Sequence, residues 1–229
     1  MANEKGESSP SMLSGPELLS HHEGGAELSM ALWRFPSPVL ALSSAPYGGG
    51  WGLRHWILLA QVPHSYQRAD PAVHMAELAA GLRLPAHGVG MLTAVDVRTV
   101  RSAWEGDVAA VATVGLSHPT WAAADDQTGN RVVVADGGTG TINIVVMLAR
   151  RLCRAALVNA VMTATEAKSQ ALWDAGYAAT GTPSDAVAIF CSPSGAEEMF
   201  AGPRSVCGSR LARTVHLAVL DGARAGGSR

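Results

Sequence analysis

The sequence predicts a single α+β domain, with mixed and largely antiparallel β-structure packed against a few helices. Three observations predict it. Of 229 residues, 48% are apolar and 16% charged, which suits one compact domain with its own core. Short β-branched apolar runs arrive in groups, with single helical stretches between them rather than a strict strand–helix alternation. Neither Gly88-Val89-Gly90 nor Gly138-Thr139-Gly140 extends to a dinucleotide-binding fingerprint, and each leads into a strand, which disfavours a Rossmann domain.

The elements follow in order. Residues 1–26 are rich in Ser, Gly, Glu and His without periodicity and read as a flexible tail. Residues 28–35 and 38–44 read as two strands joined by a proline turn, and 54–62 as a third. Residues 70–82 open with Asp-Pro, a helix start with proline in the first turn. Residues 89–95, 108–116 and 141–148 are apolar enough for buried strands, whereas 123–140 is the most loop-like internal stretch. Residues 155–175 form the longest predicted helix, ending at Gly176, before a strand at 186–191 and a last helix at 208–222. The domain therefore spans 27–222, with a frayed end at 223–229.

Composition excludes several function classes. The formal charge is -2, so there is no basic surplus for a nucleic-acid partner. No apolar run reaches membrane-spanning length and the N-terminus lacks a secretory apolar region, so a cytoplasmic protein without a membrane partner is expected. Three cysteines without a C-x-x-C pair argue against a disulfide framework and a thiolate zinc site, and His64, His74 and His118 have no metal-binding spacing. No metal is expected. The oligomeric state stays open, a homo-oligomer included.

The long helix carries the most informative residue. At 100° per residue, Lys168 falls within an apolar arc made by Leu157, Val161, Ala164, Ala171 and Leu172, with Thr165 one turn earlier. The chain's other lysine, Lys5, lies in the tail. Lys168 is thus either a catalytic or substrate-orienting ammonium, or a lysine snorkelling past the core edge. Asn159, Thr163, Glu166 and Gln170 form a polar stripe that faces solvent or lines a cleft.

Hydroxyls cluster beside glycine at two predicted strand entrances. Thr139-Gly140-Thr141 precedes Asn143, and Thr180-Gly181-Thr182-Pro183-Ser184 precedes Asp185. Such turns serve ordinary backbone reversal or close approach to a ligand. Asp185 is a turn residue or a general base, and Asp96, after residues 89–95, has the same two readings. The loop 43–52 is a hairpin, or a backbone cradle at Gly49 and Gly50 with Trp51 as a stacking plate. No nucleophile elbow is present, and Thr165-Glu-Ala-Lys168 only loosely mimics S-x-x-K.

Several strings carry a family resemblance: SSAPYGGGWG at 43–52, AQVPHSY at 60–66 with DPAVH at 70–74, GVGMLTAVDVR at 88–98 and ATVGLSHPTWAA at 112–123. GTGTINIVV at 138–146, ALVNAVMTATEAKSQALWDAG at 156–176, GTPSDAV at 181–187 and AGPRSVCGSRLARTVHLAV at 201–219 continue it. In these strings the chain resembles the adenosylcobinamide amidohydrolase family of corrinoid salvage, departing from it at Ser184, where threonine is expected. The resemblance implies hydrolysis of the amide holding aminopropanol, leaving adenosylcobyric acid. The partner is then a small-molecule corrinoid, and no separate cofactor is needed because cobalt arrives within the substrate. For that chemistry Asp185 or Glu166 is the candidate base and Lys168 the proton donor or oxyanion partner. Direct water attack ranks ahead of Thr141, Thr165 or Thr182 as nucleophile. Trp51 or Trp121 suits the corrin face. Asn143, Asn159, Asp96 and the turns holding Gly49, Gly50, Thr141, Thr182 and Ser184 suit its amide fringe. A non-catalytic corrinoid carrier or sensor is the alternative.

Overall fold

The computed structural model describes residues 15–125 and 140–226. Ten strands and three α-helices occur there in the order β1 (Glu17–Glu23), β2 (Ala26–Ser43), β3 (Gly50–Gln61), α1 (Pro71–Gly81), β4 (Val89–Thr93), β5 (Arg101–Glu105), β6 (Val108–Val114), β7 (Ile142–Leu148), β8 (Arg151–Leu152), α2 (Arg154–Asp174), β9 (Ala186–Cys191), β10 (Glu197–Glu198) and α3 (Val206–Gly226). The main sheet runs β4-β3-β2-β9-β7-β6-β5, with β1 added beside β2. Its pairings are antiparallel except β3–β4 and β7–β9. This is the expected α+β, largely antiparallel architecture.

The long strand β2 organises the sheet. Over Ala26–Leu32 it pairs with β1, and over Leu40–Ser43 with β9, while β3 follows it along most of its length. The change falls at Phe35-Pro36-Ser37-Pro38, where the β2–β3 register shifts between Arg34 and Val39. Proline cannot donate to a ladder, so two prolines impose the irregularity and the bend. The two strands expected at 28–35 and 38–44 are therefore one bent strand.

Side-chain alternation assigns the two faces. On one face Ile142, Ile144, Val146, Val187 and Ile189 pack under α2 and α3. Nearer the other edge of that face, Met30, Leu32, Trp56 and Leu58 pack under Met75 and Ala79 of α1. The opposite face folds onto itself. Trp33, Phe35, Ile57, Leu59 and Met91 meet Val145, Met147, Ala188 and Phe190, with the Phe35 and Phe190 rings 5.6 Å apart. The sheet is thus curled, with helices outside and a third apolar core within.

Three boundaries differ from expectation. The tail assigned to 1–26 contains β1, a strand of mostly polar residues whose hold on β2 is its backbone ladder, so no apolar pattern announces it. Residues 1–14 lie outside the described residues. The C-terminal helix continues to Gly226, through part of the stretch expected to fray, while 227–229 and most of the loop-like 123–140 lie outside the description. β5 was not anticipated, since Ala103 alone of Arg-Ser-Ala-Trp-Glu is buried. No described helix is long and apolar enough to cross a membrane, and Cys153, Cys191 and Cys207 are unpaired thiols.

The glycine loop after β2 closes against β4. Gly90 N–H donates to the Tyr47 carbonyl at 3.0 Å, and the buried Arg54 guanidinium donates to the carbonyls of Gly48 and Gly49 at 2.9 and 3.2 Å. Gly48 has φ +67°, and a Cβ there would overlap the Gly88 carbonyl oxygen. Gly48→Ala is expected to cost roughly 2–5 kcal/mol, from left-handed strain plus overpacking. At Gly50, φ +77° but open space, the strain stands alone, about 1–2 kcal/mol. Urea unfolding midpoints of the two variants check this ordering.

Candidate active site

Curling brings strand ends together. A cavity of about 560 Å³ opens where β2, β3 and β4 finish and β7 and β9 begin. Thr141 and Asn143 reach it from the start of β7, and Ser184 and Asp185 from the turn before β9. The connection from β3 to α1 supplies His64, Tyr66, Gln67 and Arg68, and Thr93 closes the side of β4.

One carboxylate holds this end together. Asp185 Oδ2 accepts from the Lys168 ammonium and, at 3.1 Å, from Thr182 N–H. Its Oδ1 accepts from Ile142 N–H at 3.0 Å and from the Thr182 hydroxyl at 2.5 Å. Four donors occupy the four lone-pair positions of a carboxylate. α2, the 181–185 turn and the start of β7 are thereby tied to one group. The Lys168 side chain is 8% exposed and that of Asp185 11%, so water does little to weaken the pair. Gly181 is required beside it, because a Cβ there would strike both the carboxylate and the ammonium.

In front of that pair stand the groups that face the cavity. The hydroxyls of Thr141 and Ser184 lie 2.5 Å apart, and Ser184 Oγ is 3.3 Å from the Gly140 carbonyl. Asn143, 1% exposed, donates through Nδ2 to the Leu92 carbonyl at 2.9 Å and so ties β7 to β4. This arrangement presents two hydroxyls and one amide to a ligand, fixed by backbone on both sides of the curl.

The structure gathers some expected site residues and disperses others. Thr141, Asn143, Ser184 and Asp185 line the cavity, with Lys168 and Thr182 bound to Asp185. Thr165 and Glu166 lie exposed on α2 and are not in the cavity wall, and the Thr165 hydroxyl donates to the Val161 carbonyl at 2.9 Å. Asn159 is occupied elsewhere, accepting from Ala201 N–H at 3.1 Å. The stripe expected through Asn159, Thr163, Glu166 and Gln170 is broken by Thr163, which is buried and donates to the Ala201 carbonyl. Trp51 stands outside the cavity beneath the Arg154 guanidinium, 4.0 Å from its ring centre, and Trp121 meets Trp173 edge-on. The Gly49 and Gly50 backbone is not part of the cavity wall. Asp96 caps a short 3₁₀ turn at Val97–Thr99 and accepts from Arg98 and from Ser29 Oγ at 2.6 Å. The Arg98 guanidinium, helped by Ser29, holds the Asp96 carboxyl well below the usual carboxylate range.

Residues 62–71 form the wall that sequence reasoning missed. Tyr66 and His74 meet from a loop and a helix, so no single periodicity relates them; only the string PHSYQRADPAVH marks the place. Among the described residues no group of three or more His, Cys, Asp or Glu side chains is placed to hold a metal ion.

Comparison with known proteins bears on this site. The family model described as adenosylcobinamide amidohydrolase matches residues 15–228, nearly the whole chain. The chain belongs to the adenosylcobinamide amidohydrolase family. It is similar to the adenosylcobinamide amidohydrolase of Methanosarcina mazei, 30% identical over 192 residues, covering 80% of this chain and 88% of that protein. It is also similar to the protein of the same name from Halobacterium salinarum, 37% identical over 130 residues, covering 56% of this chain and 55% of that one. Membership in the adenosylcobinamide amidohydrolase family makes this chain a hydrolase of carbon–nitrogen amide bonds. The family match begins at residue 15, so it includes β1.

The pair Lys168–Asp185 predicts unequal mutational costs. Asp185→Ala leaves a buried ammonium without its carboxylate and is expected to cost about 3–5 kcal/mol. Lys168→Met leaves Asp185 with its three other donors and is expected to cost less, about 1–3 kcal/mol. Denaturant unfolding of both variants measures the difference.

Proposed function

We propose that this protein hydrolyses the amide joining aminopropanol to the corrin side chain of adenosylcobinamide. The products are adenosylcobyric acid and 1-amino-2-propanol, and the acid is returned to coenzyme B12 synthesis. The observation that carries this reading is the cavity itself, where Thr141, Ser184 and Asn143 form a small polar group in a largely apolar pocket of a chain of this family. A cavity of about 560 Å³ falls in the range that holds a drug-sized ligand. It takes the amide-bearing arm, while the adenosylated macrocycle rests at the mouth. Cobalt belongs to the substrate. Three unpaired thiols suit action in a reducing, cytoplasmic setting.

The residues divide the work. Thr141 and Ser184 hydroxyls and the Asn143 amide orient the scissile amide and stabilise charge developing on its oxygen. Asp185 is not the base, because its four acceptor positions are filled; with Lys168 it holds the two hydroxyls at their spacing. Thr165 and Glu166, on the exposed side of α2, take no part in the reaction. Water is the nucleophile, since neither hydroxyl has a base against it in the described geometry.

Incubation with adenosylcobinamide followed by mass spectrometry tests the reading. Equal amounts of adenosylcobyric acid and aminopropanol are expected, and binding without release would point instead to a corrinoid carrier. Thr141→Val and Ser184→Ala are each expected to lower kcat/KM about tenfold, the worth of one hydrogen bond of about 1.4 kcal/mol.

A further inference from the structure

Glu23, His74 and Tyr66 run in line from β1 through α1 to the cavity wall, and none belongs to the hydroxyl and amide group described above. His74 is 5% exposed, in the first turn of α1. Its Nδ1 lies 3.0 Å from the Tyr66 hydroxyl, and the two rings stack with centres 5.4 Å apart. Its Nε2 faces Glu23 Oε2 at 3.7 Å. That carboxylate oxygen is buried and has no hydrogen-bond partner among the described residues. A buried, unpartnered carboxylate oxygen is costly. The cost is recovered where the facing group becomes cationic during turnover. Tyr66 itself is part of the cavity wall.

We propose that Tyr66 is the catalytic residue that handles the proton of the attacking water, with His74 and Glu23 as positioning residues of a relay behind it. The assignment rests on the amide hydrolysis proposed above. As the water oxygen bonds to the amide carbon, one water O–H bond breaks and its proton passes to the Tyr66 oxygen. The phenolic proton moves at the same time to His74 Nδ1, and Glu23 steadies the imidazolium. When the carbon–nitrogen bond breaks, its electron pair stays on nitrogen, which takes a proton from Tyr66 as His74 returns its own. One water is consumed, and the relay ends as it began.

The electrostatic surroundings agree. His74 is faced by Glu23 and His21 of β1, Arg68 of the β3–α1 connection and Glu77 of α1. Tyr66 is faced by Arg68, Glu23, Asp70 and Glu77. Burial pushes His74 below the ordinary histidine range, with Glu23 opposing, and burial pushes Tyr66 up. The imidazole is then uncharged and the phenol protonated at neutral pH, the states from which the relay starts.

Two experiments test it on the full chain. The first needs no substrate: nitrogen NMR of labelled histidine. It is expected to show His74 as the Nε2–H tautomer, titrating on the acid side of the ordinary range and lower still in Glu23→Gln. An Nδ1–H tautomer, or no movement in Glu23→Gln, overturns the relay. The second is kinetic. Tyr66→Phe is expected to lower kcat about 100-fold or more, with KM changed less than about threefold. The wild-type kcat should fall on the acid side as His74 protonates, and in Glu23→Gln that limb should move to lower pH. A folded Tyr66→Phe with kcat within about threefold of wild type overturns the proposal. So does an acid limb that persists in His74→Gln and vanishes in His64→Gln. Should the wild type release no aminopropanol, the substrate reading fails, and the NMR experiment still decides the relay.

Discussion

The carboxylate of Asp185 is where helix, turn and sheet meet. Two backbone amides, one hydroxyl and one ammonium converge on it, from the 181–185 turn, the first residue of β7 and the middle of α2. Without it, a buried ammonium lacks its counter-charge and the N-terminal ends of two parallel strands lose their common tie. Buried ion pairs are poor general stabilisers, because desolvation consumes most of the Coulomb attraction. This pair has a narrower role. It sets where the hydroxyls of Thr141 and Ser184 stand, and that spacing is what a scissile amide would meet.

The curl of the sheet supplies the rest of the site. A flat sheet of this order would leave the ends of β4 and β7 far apart. The bend of β2 at its two prolines and the apolar contacts of Phe35, Trp33 and Phe190 bring the edges round. Asn143 then reaches across to the Leu92 carbonyl. Groups carried at strand ends, as Asn143 is, are held in place by the backbone ladder. The outer helices complete this by shielding Lys168 from water.

Some of the site was legible in the residues and some was not, for physical reasons. A single lysine on an apolar arc of a helix demands a partner, so Lys168 stood out; its carboxylate, 17 residues on and across a turn, does not follow from helical spacing. Thr141, Asn143 and Ser184 were marked by hydroxyl and glycine clusters at strand entrances. Thr165 and Glu166 stand near Lys168 along α2, but helical spacing does not say which side of the helix meets the cavity, and the structure leaves both exposed outside its wall. Trp51 was marked by its glycine loop and Asn159 by its polar stripe; neither pattern shows the tertiary partner, and Arg154 stacks on the first while Ala201 N–H donates to the second. β1 was invisible because polar residues on an edge strand carry no apolar period, although its Glu23 faces His74.

The pairing of β2 with β9 joins Leu40–Ser43 to Ala188–Cys191, and a hydrogen bond links Ser44 to Val187 across 143 positions of chain. Closing such a span is slow, since much chain entropy is lost before any contact rewards it. The inner face of β2 is therefore fully covered only once β9, 143 positions further on, has joined the sheet. The pocket, whose wall includes Ser184, Asp185 and Ala186, can be tenanted only after β9 has docked.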